Sequence, residues 1–222
     1  MKKIATIILF FTILGLQAQT VTKISPADLE KWQTLGDGKG TVVSGQFLLE
    51  ETEGSVGFAV ISPGIYNDVV LRFEIMTMNA ATVMGAVSNI SDTGNSTSLT
   101  IAEGNKGAFG FFTKEIENYI FGFREMAHNS MPFIRKSPAI GNETGILGLA
   151  DHEPMQSGWR YLVECGKKGS KLWLKIDGKT IIDVTDSNPL EAGKIAIRVR
   201  GTGSDLGKCL IRNLEIEGEA VK

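Results

Sequence analysis

Both histidines of this chain, His128 and His152, fall within residues 118–159, together with Arg124, Arg135, Lys136 and several carboxylates. Imidazole titrates near neutral pH and serves as acid, base or ligand. A guanidinium offers a planar fork that grips a carboxylate at two points. The combination suits an acidic sugar. Arg124 and Arg135 would neutralise its carboxylate, and His128, Glu125 and Tyr119 are the candidates for moving a proton. Neutralising that carboxylate lowers the barrier to removing the proton beside it, which is the chemistry of a lyase. Asn118, Asn129, Lys136, His152 and Trp159 complete the candidate binding set, with Trp159 as a stacking platform. The same residues also read as loop and edge positions with solvated charges.

Several chemistries leave no trace. There is no Gly-x-Ser-x-Gly elbow, no His-Glu-x-x-His helix and no phosphate-cradling loop. No pair of carboxylates is spaced along a strand as in many glycosidases. Asp151-His152-Glu153 is the one compact group of ligand types, and three adjacent residues cannot all converge on one ion. No metal ligand is therefore assigned, and the residues name no cofactor.

The elements that must hold these side chains are strands. In KLWLKI, Leu172, Leu174 and Ile176 alternate with Trp173 and Lys175, the period of two that sends neighbours to opposite faces of a sheet. Asp177-Gly178 follows as a hairpin turn. YNDVVLRFEIMTM sets Val69, Leu71, Phe73 and Ile75 against Val70, Arg72, Glu74 and Met76, and GKIAIRVR sets Ile195, Ile197 and Val199 against Arg198 and Arg200. One apolar and one polar face is the pattern of antiparallel sheets; the face with Arg72 and Glu74 is a solvated one, the default for such sheets, or the concave surface of a curved sheet that meets a polar ligand. Gly45 breaks VVS from QFLLEE as in a hairpin, and NISDTGNSTSL reads as a loop. PADLEKW is a helical turn or an extended arm. The Phe-rich runs KGAFGFF and ENYIFGFREM supply core, or a groove lined with rings for sugars to stack on.

Lys2 and Lys3 precede the apolar run IATIILFFTILGL and then Gln17-Ala18-Gln19. That is the pattern of a secretory signal peptide, here residues 1–18, with an uncleaved anchor as the other reading. It predicts a periplasmic or secreted protein without a membrane span after cleavage. Residues 19–222 then fit one all-β domain. With 23 basic and 25 acidic residues the net charge is −2, so wrapping a nucleic acid by bulk charge is not expected. Cys165 and Cys209 lie on two different strands, either bridged in an oxidising compartment or packed as small apolar residues.

The closing motifs carry a resemblance. GWRYLVECGKKGSKLWLKIDGKTIIDVTD, then GKIAIRVRGTG, then IRNLEIEG resemble the concanavalin A-like jelly-roll domains of bacterial polysaccharide utilisation. Residues 118–136 and the closing strands resemble a YesU-like family linked to pectin breakdown. YNDVVLRFEIM with the closing strands is similar to a keto-disaccharide hydrolase-like family. The resemblance implies an antiparallel β-sandwich, and an exported carbohydrate-active protein of polysaccharide degradation. Its partner would be an oligosaccharide or polysaccharide of plant or algal origin, uronate-containing sugars included. It would act as a hydrolase or lyase, or as a non-catalytic, lectin-like glycan-binding module.

Overall fold

Period-two alternation gives each strand one apolar face, and two sheets can bury such faces only against each other. The computed structural model shows that arrangement. It describes residues 20–125, 131–139 and 144–221. His128, Asn129 and residues 1–18, the expected signal peptide, lie outside the described residues.

In chain order the strands are β1 (Val21–Ile24), β2 (Gln33–Gly36), β3 (Gly38–Val43), β4 (Gln46–Glu51), β5 (Phe58–Ile61), β6 (Val69–Thr77), β7 (Val83–Asp92) and β8 (Ile116–Arg124). Then come β9 (Phe133–Ser137), β10 (Ile146–Leu149), β11 (Arg160–Lys168), β12 (Lys171–Ile176), β13 (Lys179–Thr185), β14 (Lys194–Arg200) and β15 (Lys208–Glu217). The first sheet runs β13-β12-β11-β6-β15-β4-β3, with β1 also paired to β15; the second runs β10-β9-β8-β7-β14-β5-β2. Every pairing is antiparallel. The expected all-β, antiparallel sandwich is the fold.

Local signals explain the joints. Asp177 and Gly178 take φ of 49° and 78°, and Ser44 and Gly45 take 49° and 73°. Two successive positive φ values are what a two-residue hairpin turn needs to match the twist of its strands. Of the two readings of PADLEKW, the helical turn holds at its start: α1 (Pro26–Leu29) is capped by Ser25, whose Oγ accepts from Asp28 N. NISDTGNSTSL differs from expectation, since β7 runs on through Asp92 and only the remainder is loop.

Between the sheets lie Leu71, Phe73, Ile75, Leu172, Leu174, Ile176, Ile195, Ile197 and Val199, all buried, with Phe73 and Phe123 edge to face at 5.9 Å. Burying each such side chain contributes about 1.5–3 kcal/mol. Cys165 and Cys209 are buried and unbridged. They occupy β11 and β15, with β6 between them, opposite Leu71 and Thr77 respectively. Of the two readings of this pair, the packed thiols hold.

A second, smaller apolar layer lies on the far side of the second sheet. Ala59, Ile61, Val87, Ile120 and Ala196 are covered there by Phe111 and Phe112, which belong to a single π-helical turn (Phe111–Glu115). This cover shelters one part of the sheet's outer face. A groove occupies another.

Candidate functional site

The groove has a volume of about 390 Å³. Val83, Phe133, Met131, Ile146 and Leu149 give it apolar walls, Phe109 adds an aromatic ring, and Glu125, Arg135, Arg198 and Arg200 supply its polar groups. Phe109, Ile146 and Leu149 are exposed, so the walls are open to solvent.

Strand alternation places the arginines. On β14, Ile195, Ile197 and Val199 turn into the sandwich, which sends Arg198 and Arg200 to the opposite face. Arg198 is only 8% exposed. Its Nη2 donates to Gly107 O (3.1 Å) and Val56 O (3.3 Å), and its guanidinium lies 5.7 Å and 5.6 Å over the rings of Phe109 and Phe112. Its Nε has no acceptor among the described residues. Gly57 makes room for it: a Cβ there would stand 2.0 Å from Arg198 Nη2, and its φ of +141° already disfavours any other residue. Burial lowers the Arg198 pKa to about 10, against the pull of Glu51 and Glu125. Arg200 is held differently, by Ser55 O at 2.8 Å and by the buried carboxylate of Glu51 at 3.5 Å. On β9, Phe133 and Arg135 face the groove while Ile134 packs inward. Arg135 is half-buried, its Nε has no acceptor among the described residues, and burial lowers its pKa.

Glu125 reaches the groove through an irregularity. Ile120 and Gly122 lie on the outer face of β8, and strict alternation would continue with Arg124. The pairing with β7 shifts register instead, Gly85 lying opposite Gly122 but Met84 opposite Arg124. A bulge of this kind re-aims the side chains beyond it. Arg124 is consequently buried, with Nη2 donating to Ser157 Oγ (2.8 Å) and Ala80 O (3.3 Å), while Glu125 lines the groove. Nε and Nη1 of Arg124 have no acceptor among the described residues, yet it does not line this groove. Burial pushes the Glu125 carboxyl up to about 8; Arg198 opposes that rise and Glu153 adds to it. Glu153 is close because its Oε2 accepts from Glu125 N at 3.1 Å.

Of the residues singled out from sequence, the structure brings Glu125 and Arg135 together. Tyr119 is fully buried between the sheets; its hydroxyl donates to Asp186 (2.6 Å) and accepts from Leu190 N (2.8 Å), and burial followed by the Asp186 bond raises its pKa. It pins the connection before β14 and does not line the groove, where a proton donor or acceptor would have to stand. Lys136 shares that task, with Nζ 2.9 Å from Asp186 and donating to Asn188 O. Asn118 is buried as well, its Nδ2 donating to Phe112 O (2.6 Å) and Ile116 O (3.2 Å), so it anchors the π-helical cover. His152, beside Asp151 on an exposed bend, and Trp159, 66% exposed just before β11, do not line the groove. No cluster able to hold a metal occurs among the described residues. Sequence reasoning missed Arg198 and Arg200, although the alternation of GKIAIRVR had already separated them from the core. It marks their face only as polar, because nothing local shows what lies over it.

No family model matches the chain, and no curated protein does. Solved structures do share its fold. A protein of unknown function with a galectin-like fold from Bacillus subtilis superimposes with a TM-score of 0.73 at 15% identity, covering 88% of this chain and 92% of that one. The lumenal domain of VIP36, bound to Ca²⁺ and Man3GlcNAc, gives 0.57 at 11% identity over 86% and 84%. The carbohydrate-binding module CBM66 from Bacillus subtilis gives 0.54 at 14% identity over 84% and 95%. The architecture is thus that of galectin-like and concanavalin A-like lectins, which glycosidases also use.

Proposed function

We propose that this chain is an exported carbohydrate-active protein that holds an oligosaccharide in the groove of its second sheet. The observation that carries the reading is the composition of that groove: an exposed ring, Phe109, beside a buried guanidinium, Arg198, with apolar walls and few polar groups. Sugars are recognised in this way, with the apolar face of the pyranose on a ring and hydroxyls on fixed polar groups. The structural neighbours support it, among them CBM66 and the Man3GlcNAc-bound VIP36 domain. So does the resemblance of residues 118–136, of YNDVVLRFEIM and of the closing strands to the YesU-like and keto-disaccharide hydrolase-like families, which implies a role in polysaccharide degradation. Export rests on the leader, and an intact mass of the secreted protein that begins near Gln19 is the expected result.

Glycan binding is tested by calorimetric titration of plant and algal oligosaccharides. Phe109→Ala is expected to weaken binding about fivefold, the loss of roughly 1 kcal/mol of ring contact, at unchanged melting temperature. Binding that ignores this substitution would place the sugar elsewhere.

One observation favours catalysis in the same groove. A carboxyl that stays protonated to about pH 8, as Glu125 does, is equipped to deliver a proton to a leaving oxygen. New masses after incubation with an oligosaccharide, lost in Glu125→Gln, would make the chain a hydrolase or lyase; binding without new masses would make it a lectin-like module.

A further inference from the structure

We propose that the groove selects acidic sugars, with a carboxylate of the glycan seated against Arg135 and Arg198. This rests on the reading of the groove as a glycan site and adds the chemical class of the glycan.

The first ground is unmatched charge. Among the described residues no carboxylate lies within ion-pair distance of Arg135 or Arg198, whereas Arg200 beside them has Glu51. Arg198 is more than nine-tenths buried, and it spends its bonds on two backbone carbonyls and two aromatic rings. Glu51 and Glu125 act on Arg198 only from beyond ion-pair distance, and a buried cation with no carboxylate in contact is costly, a cost that an anionic ligand would offset. The second ground is unmet hydrogen bonding. Both guanidiniums line the groove, and in each the Nε–H has no acceptor among the described residues. Buried donors are almost always satisfied. A carboxylate presents a planar edge with two oxygens, which matches the Nε–H and Nη–H edge of a guanidinium.

The acid that lines the groove does not fill this role. Glu125 is not within ion-pair distance of Arg198, and burial holds its carboxyl in the neutral form at pH 7. It then acts as a donor, able to offer its O–H to an oxygen of the bound carboxylate. A uronic acid brings the remaining features together, since its pyranose face can lie against Phe109 while its carboxylate reaches the arginines.

The test is equilibrium binding at pH 7 of galacturonate, mannuronate and glucuronate oligomers. Each is paired with its carboxyl-reduced counterpart, and sulfated oligosaccharides form a third arm. At least one acidic oligomer should bind tenfold or more tightly than its reduced partner. Arg135→Ala should bring that ratio towards one, and Arg198→Lys, which keeps the charge but loses the fork, should reduce it in part. Melting temperatures of both variants show whether the fold is retained. Reduced sugars that bind as well as the acids would overturn the acidic class and leave the groove a glycan site. Preference for the sulfated arm would overturn the carboxylate. If no sugar of either charge binds, the glycan reading itself fails.

Discussion

Arginine is used in opposite ways on the two outer faces of this sandwich. On the first sheet, Arg72 lies 2.7 Å from both Glu164 and Glu217, and Arg212 lies 2.7 Å from Glu74. Arg160, the first residue of β11, instead leans on the amide of Gln46. On the second sheet, Arg135 and Arg198 share a groove with no carboxylate in ion-pair reach among the described residues. The glutamates follow the same division. Burial acts to raise the pKa of Glu164, but Lys175, Arg72 and Trp173 outweigh it and hold the group at about 2. Burial wins at Glu125 and lifts it to about 8. The contrast is between Arg72 and Arg212, which are answered by carboxylates, and Arg135 and Arg198, which are not; the proposed ligand would supply the missing charge.

The largest effect expected from this contrast is on binding. In Arg198→Met affinity for an acidic oligosaccharide should fall roughly a hundredfold, the upper range for a charged hydrogen bond, and the melting temperature should fall as well, because Gly107 O and Val56 O lose their donor. Arg72→Met should leave binding intact and cost about 1 kcal/mol of stability, because the ion pairs it breaks are only part-buried. Thermal unfolding and calorimetry on both variants read the two outcomes side by side.

The next effect is a pH dependence set by Glu125, which faces Arg198 from β14 and Glu153 from the segment before β11. Its folded pKa, about 8, lies above the ordinary 4.5. The stability contributed by its neutral form is therefore full below pH 4.5 and lost as pH rises through 8. Unfolding between about pH 5 and 9 should show a loss of a few kcal/mol, since each tenfold difference in proton affinity between the folded and unfolded chain is worth about 1.4 kcal/mol, and Glu125→Gln should flatten it. The same substitution puts an amide N–H donor in place of the Glu125 O–H, so acidic-sugar binding should persist above pH 8, where the wild-type carboxylate repels the ligand. A falling stability in Glu125→Gln would assign the dependence to another group.

The smallest effects belong to two residues that sequence favoured. Trp159→Ala and His152→Ala should change affinity and stability by less than about 0.5 kcal/mol, as expected of exposed positions. A large loss of binding in Trp159→Ala would move the site to the edge of the first sheet.

How much of this was legible follows from the range over which each feature is determined. Alternation is local, so the strands, the Asp177-Gly178 hairpin and the inward faces of β6, β12 and β14 could be read directly. The bulge on β8 is not local. It depends on the register against β7, and it exchanges Arg124 for Glu125 in the groove. Tyr119 and Asn118 carry polar groups in a strand and so look functional, but their partners, Asp186 and the carbonyl of Phe112, come together only in the folded chain. Alternation puts Arg198 on the polar face of β14, but its burial depends on Phe109 and Phe112, which arrive from a different part of the chain.

The central claim is that the two unanswered arginines give the groove its preference for an acidic sugar. Its most direct measurement is the ratio of affinities for a uronate oligomer and its carboxyl-reduced form, determined for the wild type and for Arg198→Met under identical conditions. The predicted ratio is tenfold or more in the wild type and close to one in the variant. A preference for the acid that survives the loss of Arg198 would contradict the account.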